Sequence, residues 1–241
     1  MNEVIPLFDI NPKVDRTALA ARFAKEGRIQ IRDILTNQTA RTIQQILLRQ
    51  TKWGLAWRSG EDGPHAVRQA ELPGRATAIY KAVGDAAHAG SYTFAYAQYP
   101  LVEAYLEKWD TDSPHDLLLE HINAAPFMEL VREITGIEEL VKADAQATLY
   151  APNHFLGVHD DSHVMEGWRV AYVLNLSIEE WKPEWGGYLL FHDEDDDIVA
   201  GYKPRFNSLN LFRVPLKHSV TFVPPFAPIG RLALTGWFRD R

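Results

Sequence analysis

No cysteine occurs in the 241-residue chain, which excludes thiolate ligands, thiol nucleophiles and a disulfide framework. Any metal held by the protein must then use histidine or carboxylate donors. Positive charge is also in short supply: 25 Lys and Arg face 32 Asp and Glu, a formal charge of -7 at pH 7. That balance argues against a nucleic-acid backbone as the main partner. No window has the apolar length of a membrane span, and Met1 to Pro6 carry an acid but no basic region leading into a long apolar run. The expectation is a cytoplasmic protein without a membrane partner.

What is present is a 46% apolar composition, enough to bury one sizeable core without a disulfide or a structural metal. A single domain over 1–241 is expected, with a change of character near residue 145. Region 1–144 reads as helices and a sheet extension. Asp15 caps a helix carrying Leu19 and Phe23 and stopped by Gly27; Ile29 and Ile31 alternate as a strand; Ile43, Ile46 and Leu47 recur at helical spacing. Trp53–Trp57 reads as extended, Gly60–Pro64 as a turn, and Ala76–Ala89 as a helix ended by Gly90. Tyr92, Phe94 and Tyr96 take alternate positions of a strand with an aromatic face; Ser113 with Pro114 and Asp116 reads as a helix entrance, and Phe127, Leu130, Val131 and Ile134 give another apolar stripe.

From residue 145 onward, short strand-like runs (147–150, 169–176, 187–191, 210–213, 220–223, 232–238) alternate with turn-rich segments. The pattern predicts a mainly β fold with flanking α-helices, built on an antiparallel jelly roll. The acidic run Asp193 to Asp197 lies between strands and reads as a solvated loop.

Within this half, Gly157-Val158-His159-Asp160-Asp161 is followed much later by Lys217-His218-Ser219. Residues two apart on a strand project to one side, so His159 and Asp161 can share a face with His218 brought across from a later strand, while Asp160 points away. Two imidazoles and a carboxylate on one face of an octahedral ion leave the opposite face open, which suits iron(II); zinc more often settles at lower coordination. Arg231-Leu232-Ala233-Leu234-Thr235-Gly236-Trp237 adds an arginine entering an apolar strand, where a guanidinium needs an anionic partner. His163 is a weak metal candidate, because His218 already completes the set, and His154 and His192 read as residues behind the ligands or on the surface. Trp237 reads as core or as an aromatic wall.

With these motifs, residues 145–240 resemble the 2-oxoglutarate and iron(II)-dependent oxygenase superfamily, and more closely its prolyl hydroxylase branch. Gly186-Gly187, Pro204-Arg205-Phe206-Asn207 and the set Arg231, Thr235, Trp237 support the likeness. The resemblance implies a double-stranded β-helix, iron(II) held by His159, Asp161 and His218, and the far carboxylate of 2-oxoglutarate held by Arg231. Where several prolyl hydroxylases place a tyrosine on that carboxylate, this chain has Asn175; Tyr150 and Thr235 are further candidates for cosubstrate contact. The implied cofactors are Fe(II), 2-oxoglutarate and dioxygen, with ascorbate as a supporting reductant and succinate and carbon dioxide as coproducts.

The acceptor the branch implies is a prolyl residue in a protein or peptide, reached through a channel lined by Tyr92, Tyr96 and residues 163–168. Free proline, another amino acid or a small metabolite is the alternative, with Arg169 or Arg205 as its anchor. A non-catalytic metal-binding jelly-roll sensor is the reading outside enzymology, and oligomeric state is left open.

Overall fold

The computed structural model describes residues 7–111, 113–162 and 164–241; the segment Met1 to Pro6, Asp112 and His163 lie outside them. Helix α1 (Arg16–Glu26) begins where the Asp15 carboxylate accepts the Ala18 N–H at 3.0 Å. It ends at Gly27, whose φ of 66° is the left-handed conformation that lets its N–H close on Phe23 O. Strand β1 (Arg28–Arg32) and α2 (Asn37–Gln50) follow, then a hairpin of β2 (Gly54–Ser59) and β3 (Asp62–Val67). Next come α3 (Ala76–His88), β4 (Thr93–Pro100), α4 (Leu101–Leu106), α5 (Pro114–Asn123) and α6 (Ala125–Thr135).

The second half is almost all strand: β5 (Lys142–Ala143), β6 (Gln146–Tyr150), β7 (Phe155–His159), β8 (Trp168–Asn175), β9 (Leu189–His192), β10 (Ile198–Tyr202), β11 (Ser208–Arg213), β12 (His218–Val220) and β13 (Arg231–Arg239). Among the described residues, thirteen antiparallel strands form one nearly closed barrel flanked by six helices; ten follow the order β1-β11-β8-β13-β6-β4-β7-β12-β9-β10, while β2 and β3 attach through β4 and β5 through β13. Strand β4 is the branch point, since it also pairs β2. The expected jelly-roll core is therefore present, with helices beside it. No helix among the described residues is long and apolar enough to cross a membrane.

Three elements differ from the sequence expectation. The turn placed over Gly60–Pro64 is confined to its first residues, because Asp62–Val67 pairs back onto β2. Helix α4 has only six residues, too few for an apolar period to register. Strand β10 leaves Ile198 and Val199 exposed at the sheet edge, so it carries no alternation of buried and exposed positions. The acidic run between β9 and β10 is a turn tied by Asp193 Oδ1 accepting the N–H groups of Asp195 and Asp197, each at 3.0 Å.

Strand alternation sorts the core into two layers. Val170, Tyr172 and Leu174 of β8 and Leu232, Leu234 and Phe238 of β13 face the helices, packing with Phe23, Ile43, Phe127 and Leu130. Burying each such side chain contributes about 1.5–3 kcal/mol. The intervening positions, including Ala171, Val173 and Ala233, face the barrel interior with Phe191 and Phe212. Arg231, Thr235 and Trp237 keep this second phase, so one strand delivers all three to the same cavity.

Candidate metal centre

Within the barrel lies a cavity of about 450 Å³, lined by residues of ten strands and their connections. His159 ends β7 and His218 starts β12, and the two are paired directly across the antiparallel ladder. Their rings sit 4.1 Å apart between centroids. Each Nδ1 lies against a backbone carbonyl two residues earlier: Gly157 O at 3.0 Å for His159, and Leu216 O at 2.7 Å for His218. A proton held on Nδ1 by that carbonyl leaves Nε2 as the free lone pair of both rings.

Asp161 closes the group by a route that strand alternation did not foresee. Strand β7 stops at His159, and Asp161 adopts φ 56°. This left-handed turn carries the carboxylate back toward the rings. Its Oδ1 lies 3.3 Å from His159 Nε2 and its Oδ2 lies 3.4 Å from His218 Nε2. Asp160 is exposed and accepts the Ser162 N–H at 3.1 Å.

One donor atom from each of His159, Asp161 and His218 falls within 4.8 Å of the others, a set able to hold a metal ion. Adjacent donors around an octahedral ion stand roughly 3 Å apart at ordinary bond lengths, so the spacing fits three facial positions. Burial pushes His218 down to about 4, with the neighbouring His159 acting in the same sense; it is neutral, the form that ligates. Burial also opposes charge on Asp161 and His159, but their mutual hydrogen bond and attraction prevail, lowering the carboxyl and raising the imidazole.

Trp237 has a contact that its sequence context did not announce: its indole N–H donates to Asp161 Oδ2 at 2.9 Å. Trp168 stacks on Trp237 at 3.9 Å and 14°. His154 and His192 stand elsewhere, the first held by Tyr80 and Ala151, the second by Ser219 and Asp196 O. Arg169 pairs with Asp240, and neither Arg169 nor Arg205 lines the cavity, so neither is placed to anchor a small acceptor there.

In the same cavity, Arg231 is 2% exposed, and its Nη1 has no hydrogen-bond partner. Its Nε donates to Asn175 Oδ1 at a long 3.4 Å, and its guanidinium lies 5.3 Å from the Tyr150 ring centroid. Burial holds Arg231 down to about 10, opposed by Tyr150; it is still a cation at neutral pH. Asn175 also points its amide toward Ser208, so it orients the arginine and does not replace an anion. Thr235 Oγ1 is likewise buried without a partner. Leaving such donors unmade costs about 1–3 kcal/mol each, more for a charged group, which marks this wall as built for an acceptor-rich ligand. One cavity thus holds three donors able to take a metal ion and a buried cation whose Nη1 is unpartnered.

Residues 145–239 match the family model described as the 2OG-Fe(II) oxygenase superfamily. The matched stretch, 95 of 241 residues, holds His159, Asp161, His218 and Arg231 and is similar to that superfamily. The chain matches no curated protein sequence. Its fold is that of several solved structures. A Pseudomonas putida prolyl-4-hydroxylase superposes with a TM-score of 0.60 at 19% identity, covering 93% of this chain and 98% of that one. A Trichoplax adhaerens prolyl hydroxylase, in complex with a hypoxia inducible factor oxygen degradation domain peptide fragment, gives 0.53 at 15%, with 93% and 89% covered. The alpha-ketoglutarate-dependent epimerase SnoN from nogalamycin biosynthesis gives 0.57 at 12%, with 93% and 82% covered. The chain is thus a 2-oxoglutarate- and Fe(II)-dependent dioxygenase whose cofactors are Fe(II), 2-oxoglutarate and dioxygen.

Proposed function

We propose that this oxygenase hydroxylates a prolyl residue of a protein or peptide, with iron(II) held by His159, Asp161 and His218 and the far carboxylate of 2-oxoglutarate held by Arg231. The observation that carries the cosubstrate assignment is the unpartnered Nη1 of a fully buried arginine in the cavity that also holds the triad. A planar guanidinium answers a carboxylate with two parallel hydrogen bonds, which a neutral ligand cannot match. Tyr150 and Thr235 border the same wall and are proposed as lesser contacts, with Asn175 steadying Arg231.

Iron(II) with its cosubstrate supplies the oxidising chemistry: one oxygen atom of dioxygen enters a C–H bond, the other enters succinate, and carbon dioxide leaves. The chain itself fixes geometry. The carbonyls of Gly157 and Leu216 keep each histidine's Nε2 turned inward, and the Trp237 N–H holds Oδ2 of Asp161. Tyr92, Phe94 and Tyr96 of the β4 segment give the acceptor side an aromatic wall, suited to packing a pyrrolidine ring and excluding water. No proton donor or base from the chain is required.

The prolyl acceptor is supported by the similarity to two prolyl hydroxylase structures and by the open aromatic wall. A small-molecule acceptor is the second reading, favoured by the comparable fold match to an epimerase of nogalamycin biosynthesis. Incubation of the iron-loaded protein with 2-oxoglutarate, labelled dioxygen and a cellular peptide digest, followed by mass spectrometry, separates them. The expected product is a prolyl peptide carrying one labelled oxygen. Oxidation of a free metabolite with every peptide untouched would reverse the assignment.

A further inference from the structure

Besides tyrosines, six side chains of the acidic, basic or imidazole kind line the cavity: Arg58, His159, Asp160, Asp161, His218 and Arg231. In the reading above, four of them serve metal and cosubstrate, and Asp160 is turned to its own loop. Arg58 is left. It lies on β2, half-buried, with its Nε donating to Gly60 O at 2.7 Å. Among the described residues it forms no ion pair, so the terminal nitrogens of its fork carry no carboxylate.

A single aromatic row fixes its position relative to Arg231. Arg58 lies 5.6 Å from the Tyr92 ring centroid. Tyr92 contacts Phe94 at 6.0 Å, Phe94 contacts Tyr96 at 5.5 Å, and Tyr96 contacts Tyr150 at 5.0 Å. Tyr150 in turn carries Arg231. The two arginines therefore sit at opposite ends of one row, and Tyr92 at the Arg58 end also touches the His159 ring at 6.2 Å. A dicarboxylate that spans from the triad to Arg231 runs away from Arg58. What remains near Arg58 is the space beside the metal on the Tyr92 side, where an acceptor must enter.

We propose that Arg58 anchors a carboxylate of the acceptor, holding the C–H bond to be oxidised against the metal from the side opposite the cosubstrate. The inference rests on the site assignment above and adds the charge of the substrate to it. Two sources share this chemistry: the α-carboxylate of a free imino acid, or an acidic side chain next to proline in a peptide. The geometry suits either, because the Gly60 carbonyl takes Nε and leaves the terminal nitrogens of the guanidinium for a paired contact. The Tyr92 ring beneath it adds a cation–π contact that holds the fork in place while it is empty.

The test uses the iron(II)-loaded protein without oxygen, first titrated calorimetrically with 2-oxoglutarate and then with matched probes. The probes are free proline against prolinamide, and doubly blocked dipeptides with glutamate against glutamine placed before or after proline. The wild type should bind at least one carboxylate probe tenfold or more tightly than its neutral twin. Arg58→Gln should abolish that difference with 2-oxoglutarate affinity unchanged, and Arg58→Lys should restore part of it. The pair that shows the preference identifies the source. Equal binding within every pair by the wild type, including no binding of any probe, overturns the role of Arg58 while 2-oxoglutarate binding still stands. A preference that survives in Arg58→Gln overturns it too. Failure of 2-oxoglutarate itself to bind in the first titration would instead remove the underlying site assignment, and Arg58's role with it.

Discussion

Asp161 and its neighbour Asp160 differ by one backbone rotation, and that difference decides their chemistry. The left-handed φ of Asp161 turns its carboxylate onto both Nε2 atoms, while Asp160 stays exposed on Ser162 N. Asp161→Ala should reduce succinate formation about a hundredfold or more, since losing a ligand exceeds the 10–100-fold typical of losing a ligand's support. Asp160→Ala should keep most turnover. The reverse result, measured with matched folded-state spectra, would move the ligand to Asp160. The sequence made this pair of carboxylates legible as a His-x-Asp spacing, but for a reason that the backbone does not use: the strand ends before Asp161, and nothing in the residue types marks the positive φ. Arg58, like Arg231, adjoins apolar strand residues, but no neighbouring motif draws attention to it.

His115 offers a pH test remote from the metal. It is 3% exposed, contacts Thr51 and Ser113, and is pushed down to about 4 by burial. The unfolded chain, with an ordinary imidazole, takes up a proton below about pH 6.5, whereas the folded chain resists until about pH 4. Its contribution is thus present above pH 6.5 and lost as pH falls through that window, by about 3 kcal/mol. Denaturant unfolding of His115→Gln should show a shallower loss of stability between these limits. An unchanged slope would show that the imidazole titrates freely when folded.

At the scale of elements, β7 can present His159 only because it runs very close to the β4 segment. A Cβ on Gly157 would stand 2.8 Å from Thr93 O and 3.1 Å from the Tyr92 ring. Gly157→Ala should therefore push β7 off its neighbour, costing about 1–3 kcal/mol in stability and weakening metal binding more than an equally destabilising helix substitution would. Metal affinity that follows stability alone would contradict the link. Strand β13 acts through Trp237: Trp237→Phe keeps most of the stack on Trp168 and removes the bond to Asp161, so metal affinity should fall about tenfold. Short apolar runs bounded by turn-rich segments made β8 and β13 readable, because both bury one face against helices and the other in the cavity. The β2–β3 hairpin was hidden by turn-forming residues at its tip and by the exposure of most of β3; its pairing comes from β2, which no local pattern encodes.

Across the whole molecule, the barrel brings together side chains more than seventy positions apart, and the charge arrangement they make is the core of the account. The triad stands at one place in the cavity, a buried arginine without an anionic partner at another, and the aromatic row joins that arginine to Arg58. The helices supply the apolar layer that lets Arg231 be held 2% exposed on a strand otherwise packed with leucine and alanine. The most direct measurement is calorimetric titration of the metal-loaded protein with 2-oxoglutarate and with 2-oxobutyrate, which lacks the far carboxylate, in the wild type and in Arg231→Met. A buried charge-assisted contact of about 2–5 kcal/mol predicts that the wild type prefers 2-oxoglutarate by at least about thirtyfold and that the variant loses this preference with metal affinity retained. Equal binding of the two ligands by the wild type would contradict the assignment.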